Sequence, residues 1–338
     1  MILSLNCGSQ SVAWKLFEDE EEVAEGSVNN LKDEDYSEKL REELEVIGEK
    51  YKNINVVGHR VVHGGTEIKE PVLINEENLE KIEEFNSLAP LHNPKNVLGI
   101  KIAKEIFKEA KQVAVFDTEF YSDLPHFAKT YALPEELREK FQRFGFHGIS
   151  HEYAAQKAAE EAGKNFNELK IISVHLGGGG SITAIKNGKA IDTSMGFTPL
   201  EGLIMMTRSG DIDPGIVLKI AKEVGIEKAE DILNKKSGME GLCGSQNMLK
   251  VIEKAEEGGI IEKEALEIFV YRIRKYIGSY YVALGGLDLI CFTGSIGNGH
   301  PKTREMILEN LPFSESFDVV AIKPNEEEAI AKKAKMFL

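Results

Sequence analysis

Twice along this chain the same plan begins: an apolar strand, a glycine-bearing turn, a second strand, a polar turn and a third strand. At the start, residues 2–6 are apolar, Cys7-Gly8-Ser9-Gln10 is turn-like, 11–17 resumes with strand formers, 18–22 is a charged turn, and 23–28 closes the unit. Near the middle, 171–176 reads as a strand, 177–180 as a turn, 181–185 as a strand, Asn187-Gly188 as a hairpin signal, and 190–193 as a strand. A helical segment precedes the second unit, with Ser150 as its expected cap and Gly163 as its expected stop. Two such units, each followed by mixed helices and strands, predict a duplicated α/β architecture in which two glycine turns face each other across a cleft. Pattern alone leaves a chance likeness of two β-meanders as the alternative. Later segments fit the duplicated plan: an apolar strand at 289–293, a glycine turn at 294–299, a helix opening near Pro301 and a Lys- and Ala-rich helix over 325–338.

The 338 residues, 42% of them hydrophobic, can fill a substantial core and are too many for one small domain, so two domains are expected. A net charge of −15, from 41 basic and 56 acidic residues, repels phosphate backbones and argues against nucleic acid as a partner. No stretch approaches the roughly 18 unbroken apolar residues of a membrane span; the longest candidate, 281–292, carries Asp288 and two glycines. The chain opens directly into a strand-like run with no basic leader, which is not the pattern of a signal peptide. Cys7, Cys243 and Cys291 are far apart and odd in number, so they suggest neither a disulfide framework nor a zinc knuckle. The expectation is a soluble cytoplasmic protein with no membrane partner.

Three glycine turns leave apolar strands: 6–9 (NCGS), 175–181 (HLGGGGS) and 294–299 (GSIGNG). Glycine lets backbone amides approach and wrap an anion, so such turns suit phosphates. Each alone is a weak signal, but three together favour a nucleotide or polyphosphate site, without Walker A spacing or a clear dinucleotide fingerprint. Arg60 sits inside a β-branched run; if that strand is buried, the guanidinium needs an anionic partner, either a ligand or a structural carboxylate. Asp117 ends the strand-like run 113–116, a usual position for a functional carboxylate in an α/β sheet, with a helix cap as the plain alternative. His147 and His151 lack the Glu of a zinc protease motif, and His59 and His63 would share a strand face too far apart to chelate one ion, so a zinc hydrolase is rejected. In 207–214 (TRSGDIDP), Asp213 and Pro214 read as a capped helix start, which leaves Arg208 without an account.

With these residues assembled, the chain resembles the acetate kinase family of the sugar kinase–heat-shock–actin superfamily. The matching stretches are 58–65 (GHRVVHGG), 89–96 (APLHNPKN), 115–120 (VFDTEF), 144–151 (FGFHGISH), 193–203 (TSMGFTPLEGL), 207–214 (TRSGDIDP), 234–238 (NKKSG) and 325–331 (NEEEAIA), in the family's order. The resemblance implies duplicated actin-like (ribonuclease H-like) ATPase domains with a cleft between them. The first would be 1–121 with the C-terminal helix 328–338; the second, 122–327, would carry most of the nucleotide site. It also implies reversible phosphoryl transfer from ATP to acetate or propionate, giving acetyl phosphate and ADP, in a homodimer. Arg60 and Arg208 would bind the carboxylate and the transferring phosphoryl group, Asp117 would be the active-site carboxylate, and His147 would stabilise the transition state. Asn6 and Glu326 would hold Mg2+, or Mn2+. Val62, Leu91, Phe146 and Pro199 would form the apolar pocket for the acyl group. His175, Leu176, Gly177, Gly178, Gly179, Met248, Leu249, Lys250, Ser295, Ile296, Gly297, Asn298 and Gly299 would line the nucleotide.

The chemistry agrees with this reading. A carboxylic acid with a pKa of about 4–5 is already ionised at neutral pH. The difficulty is bringing one anion against another, for which arginines, a histidine and a divalent cation are suited. The departures from the family pattern fall on the donor side. The family's lysine position in the first strand pair holds Ala13, with Lys15 displaced by two onto the same strand face. The segments at 175–181, 248–250 and 295–299 are also altered. Three readings follow in order: drift in a site built of backbone amides, a changed donor such as another nucleoside triphosphate or pyrophosphate, and a non-catalytic carboxylate- or acyl-phosphate-binding protein.

Overall fold

Val12, Trp14 and Leu16 alternate with Ser11, Ala13 and Lys15, which buries one face of a strand and leaves the other half-buried; the computed structural model builds that strand as Ser11–Glu18. The structure describes every residue except Pro90, Leu91, Asn310, Ser314 and Glu315. The chain divides into two compact units, the first made of Met1–Ser122, His147–Tyr153 and Asn325–Leu338, the second of Asp123–Phe146 and Ala154–Pro324. This differs from the expected division mainly in returning the seven-residue stretch His147–Tyr153, with its histidine, to the first unit.

The first unit holds a six-stranded sheet of β1 (Ile2–Cys7), β2 (Ser11–Glu18), β3 (Glu21–Asn29), β4 (Val56–Val61), β5 (Val72–Leu73) and β6 (Lys111–Phe116), ordered β3-β2-β1-β4-β6-β5. The first three strands form an antiparallel meander, β4 lies parallel to β1, and β6 parallel to β4. The second unit holds β7 (Lys170–Leu176), β8 (Gly180–Lys186), β9 (Lys189–Thr193), β10 (Leu289–Thr293) and β11 (Asp318–Ala321), ordered β11-β10-β7-β8-β9. Again an antiparallel meander is extended from its first strand by two parallel strands. β5 adds an antiparallel edge strand beside β6 in the first sheet alone; the other five strands match the second sheet in order and in sense, which is a duplication, so the chance likeness is set aside.

Both faces of the first sheet are covered. Leu3, Leu5 and Val57 pack against Leu40, Leu44 and Ile47 of the helix Tyr36–Lys50 and Ile102 and Ala103 of the helix Asn93–Ile106. On the other face, Ile2, Val56, Val113 and Val115 pack against Ala329, Ile330 and Ala334 of the helix Glu326–Lys335 and against Ile149. Gly58 makes that close seating possible, since a Cβ there would lie 2.8 Å from Ile330 and 2.9 Å from Ala334. In the second unit, Ile172, Val174, Ile290 and Phe292 share a core with Met248, Val251 and Ile252 and with Phe269, Ile273 and Ile277 of the long helix Ile260–Leu284. Among the described residues, no helix is long and apolar enough to cross a membrane.

Local signals mostly land where expected. Asp213 accepts a hydrogen bond from the Gly215 amide at 2.7 Å and caps the helix Pro214–Val224, and Gly163 takes a positive φ just beyond the helix Gly148–Glu161. That helix starts two residues before the expected cap, so Ser150 lies inside its first turn. Lys15 does share a face with Ala13, but its ammonium is committed to Glu22 at 2.6 Å and Glu25 at 3.2 Å on the neighbouring strand. It is therefore held in cross-strand ion pairs.

His59 in β4 is 2% exposed and meets Gln112 across the sheet at 2.8 Å. Burial pushes its imidazole down to about 4, with the Gln112 contact opposing in part. Because this lies below the unfolded value near 6.5, the stability it secures is complete above about pH 6.5 and is lost as pH falls toward 4. Denaturant titrations should therefore show wild type losing about 2 kcal/mol more than His59→Gln between pH 7 and pH 5. Equal losses in the two proteins would refute the assignment.

Candidate active site

The first unit gathers its polar groups at the ends of β1, β4 and β6. Arg60 in β4 donates to Asp117, just past β6, through Nε at 3.1 Å and Nη2 at 2.6 Å, a two-pronged pair with the side chains 20% and 2% exposed. Its Nη1 donates to Asn6 Oδ1 at 3.1 Å, and Asn6 Nδ2 donates to Glu327 Oε1 at 3.0 Å. Burial works against the charged guanidinium, yet Asp117, with Glu326 and Glu327 nearby, holds Arg60 above its ordinary value. The carboxylate bonded to Asn6 is thus Glu327, the neighbour of the Glu326 expected from sequence. Asn6, Glu326 and Glu327 carry oxygen donors of the type a small divalent cation takes, with Asn6 Oδ1 here accepting from Arg60; among the described residues no group of three His, Cys, Asp or Glu is placed to hold a metal ion.

Two asparagines from the start of the helix Asn93–Ile106 hold the strand ends that carry this cluster. Asn96 accepts from the Val62 amide at 3.1 Å and donates to the Cys7 carbonyl at 2.7 Å, linking the ends of β4 and β1. Asn93 accepts from the His63 amide at 3.0 Å and donates to the His63 carbonyl at 3.1 Å. Thr118 accepts from the Gly64 amide at 3.2 Å. The sequence signal for the asparagines is their spacing of three residues at a helix start, which puts both on one face. Val62 is 4% exposed, whereas Leu91 lies outside the described residues.

His147 adopts a left-handed backbone with φ +59, unusual for a residue with a side chain. The turn is pinned by Gly148, whose amide donates to the Asp117 carbonyl at 2.9 Å. A Cβ on Gly148 would sit 2.3 Å from that oxygen, so only glycine allows the close approach. The turn of His147 is therefore docked on the backbone of Asp117.

In the second unit, the stretch between β9 and the helix Pro214–Val224 carries Pro199 and Arg208. Arg143 donates from Nη1 to the carbonyls of Thr193 at 3.1 Å and Met195 at 3.0 Å, and pairs through Nη2 with Glu201 at 2.5 Å. Tyr131 donates to the other oxygen of Glu201 and accepts from the Phe197 amide at 2.9 Å. Asp211 accepts from the Gly202 amide at 2.8 Å and from the Tyr276 hydroxyl at 2.7 Å. This frame was not anticipated; Arg143, just before the 144–151 stretch, was the available sequence signal. Arg208 Nη1 reaches only the Pro199 carbonyl at 3.3 Å and the Met205 sulfur at 3.7 Å. Among the described residues no carboxylate pairs with it, and burial holds the guanidinium below its ordinary value. Phe146 is 1% exposed.

The two later glycine turns emerge side by side, because His175 and Thr293 are paired partners at the ends of β7 and β10. Gly178 accepts from the Met206 amide at 3.2 Å, tying the first turn to the Arg208 segment. Gly294–Gly297 forms a single helical turn, and Arg304 clamps it by donating to the carbonyls of Gly297 at 2.8 Å and Asn298 at 2.6 Å. Asn247 caps the helix Met248–Glu256 by accepting from the Lys250 amide at 3.2 Å. Leu176, Met248 and Ile296 send their side chains into the core, which leaves only their backbone for a ligand. His175, Gly177 and Gly179 are half-buried and Gly178, Leu249 and Lys250 exposed. Of the remaining expected positions, Ser295 and Gly299 are exposed, Asn298 is half-buried and Gly297 buried.

The sequence profile of the acetokinase family matches residues 28–319. The acetate kinase of Thermotoga maritima is 45% identical over 368 residues, covering 98% of this chain and 90% of that protein. The crystal structure of Porphyromonas gingivalis acetate kinase superposes with a TM-score of 0.90 at 34% identity, covering 99% of this chain and 98% of that one. A propionate kinase from Francisella tularensis subsp. tularensis superposes at 0.89 and 36%, covering 99% of each chain.

The docking of Gly148 on Asp117 is testable. Gly148→Ala forces the turn of His147 off the Asp117 backbone, and should cost about 1–3 kcal/mol of stability and about 10²-fold in the turnover of the enzyme. Thermal melts and steady-state kinetics would check this; wild-type turnover with a lowered melting temperature would mean that the position of His147 is immaterial.

Proposed function

The chain belongs to the acetokinase family, and on that premise we propose that it transfers the terminal phosphoryl group of ATP to acetate, giving acetyl phosphate and ADP. An acetate oxygen forms a bond to the γ-phosphorus as the bond from that phosphorus to the β,γ-bridging oxygen breaks, and ADP leaves with the bond's electron pair. Propionate is a second acyl substrate, a reading supported by the likeness to a propionate kinase.

The observation that carries this reading is Arg208, a half-buried guanidinium that no carboxylate answers among the described residues. Burying an unanswered charge is unfavourable, and an anionic ligand relieves it. Arg208 takes the carboxylate and the transferring phosphoryl group, while Arg60, already bound to Asp117, presents the remainder of its charge from a fixed position. Asp117 serves to orient: its substrate is ionised at neutral pH and needs no general base. His147 would stabilise charge on the transferring group, and Val62, Leu91, Phe146 and Pro199 are the residues that the family likeness assigns to the acyl methyl. A divalent cation, Mg2+ or Mn2+, neutralises phosphate charge when bound, and Asn6 with Glu326 and Glu327 would hold it. The half-buried and exposed turn glycines at 177–179, with 295–299 and 248–250, receive the nucleotide. The protein works as a homodimer in the cytoplasm, where the buried thiols of Cys7 and Cys291 stay reduced.

Trapping the acyl phosphate as a hydroxamate tests the function directly. Acetate, Mg2+ and ATP should give product with purified protein, propionate less, and pyrophosphate none. Arg208→Ala should lower kcat/KM by roughly 10²–10³-fold, about 3–4 kcal/mol. Turnover with pyrophosphate alone would replace the donor, and unchanged activity in Arg208→Ala would overturn the mechanism.

A further inference from the structure

Three segments of the first unit carry the groups assigned above: the turn after β6 with Asp117, the stretch His147–Tyr153, and the helix Glu326–Lys335. One ammonium touches all three. Lys333 Nζ lies 2.5 Å from Glu119 Oε1 and 2.7 Å from Glu152 Oε2. Glu119 stands two residues after Asp117, and Glu152 five after His147. Lys333 itself is seven residues, or two helical turns, past Glu326, so the two share one face of their helix. The three side chains are mostly shielded, with Lys333 at 20%, Glu119 at 13% and Glu152 at 24% exposure.

We propose that Lys333 is a positioning residue for phosphoryl transfer, holding the segments of Asp117, His147 and Glu326–Glu327 at fixed spacing. This rests on the acetate kinase reading above. Charge gives Lys333 this role. With the ammonium in place, two carboxylates from different segments are drawn to one point on a third. Without it, Glu119 and Glu152 face each other as like charges in a shielded setting and push their segments apart. A second tie, from the Tyr153 hydroxyl to Glu328 Oε2 at 2.8 Å, joins two of the segments but does not reach the turn of Asp117. The Gly148 amide on the Asp117 carbonyl joins a different two. Lys333 alone among these ties joins all three, so it governs their mutual placement without touching substrate.

The test compares Lys333→Met, Lys333→Arg and the milder Glu152→Gln with wild type. Lys333→Met should lower kcat by 10- to 100-fold with KM for acetate within about threefold, because Arg208 and its supporting frame belong to the second unit. Lys333→Arg should recover most of the loss, and Glu152→Gln should show a smaller fall of the same kind. Amide hydrogen exchange supplies a readout independent of turnover: residues 147–153 should exchange at least tenfold faster in Lys333→Met, with β7 and β8 unchanged. A lowered melting temperature with wild-type kcat and unchanged exchange at 147–153 would make Lys333 a simple strut and overturn the proposal. If Lys333→Met fails to fold, normal kcat and exchange in Glu152→Gln would overturn it equally. Should wild type itself make no acetyl phosphate, the functional reading fails, and the exchange result still decides whether Lys333 holds the segments.

Discussion

The pair between Arg60 and Asp117 organises the polar end of the first unit. A β-strand buried on both faces has no ordinary place for a guanidinium, and this one is tolerated because a carboxylate at the end of the next parallel strand grips it with two hydrogen bonds. Removing one partner of such a pair typically costs about 3–5 kcal/mol, because the other charge is left stranded. From that fixed guanidinium the order spreads outward, to Asn6 through Nη1 and from Asn6 to Glu327 on the C-terminal helix. Arg208 is built the opposite way. Its surroundings offer a carbonyl and a thioether. The two arginines thus differ in their partners: one is committed to a carboxylate, and the other meets none among the described residues.

The duplication shows how one strand plan is put to two uses. In the first sheet the glycine turn after β1 is held from behind, by the Tyr36 hydroxyl donating to the Gly8 carbonyl at 2.8 Å and by Asn96 on Cys7. In the second, the turn after β7 is tied sideways to the Arg208 segment, and the neighbouring turn after β10 is clamped by Arg304. Same strand order, different anchoring: the turns inherit their position from the sheet and their rigidity from residues far away in sequence.

What could be read in the sequence was whatever depends on short range. The two meanders, the Asp213 cap and the end of β6 at Asp117 follow from periodicity and turn chemistry over a few residues. Family likeness supplied the site residues that no periodicity would single out. What stayed hidden depends on partners far apart. Nothing around Lys15 announces that Glu22 and Glu25 will claim it, because that requires the register of β2 on β3. Glu326 and Glu327 look alike in sequence, and only the seating of their helix decides which one meets Asn6. Met248 and Ile296 stand in segments that the family likeness assigns to the nucleotide, yet the core claims their side chains. The return of His147–Tyr153 to the first unit is likewise invisible until Ile149 is seen in the core beside Ile330.

The first unit is not continuous in the chain. The core on one face of its sheet needs Ala329, Ile330 and Ala334, which follow the whole of the second unit in order of synthesis. Gly58, with no side chain to fill the space, leaves a vacancy on β4 that only that helix fills. During translation the second unit can therefore complete its sheet and core while the first waits with an apolar face bare. A nascent chain of this kind closes its first core in one late step, when the helix Glu326–Lys335 docks and brings Glu327 to Asn6.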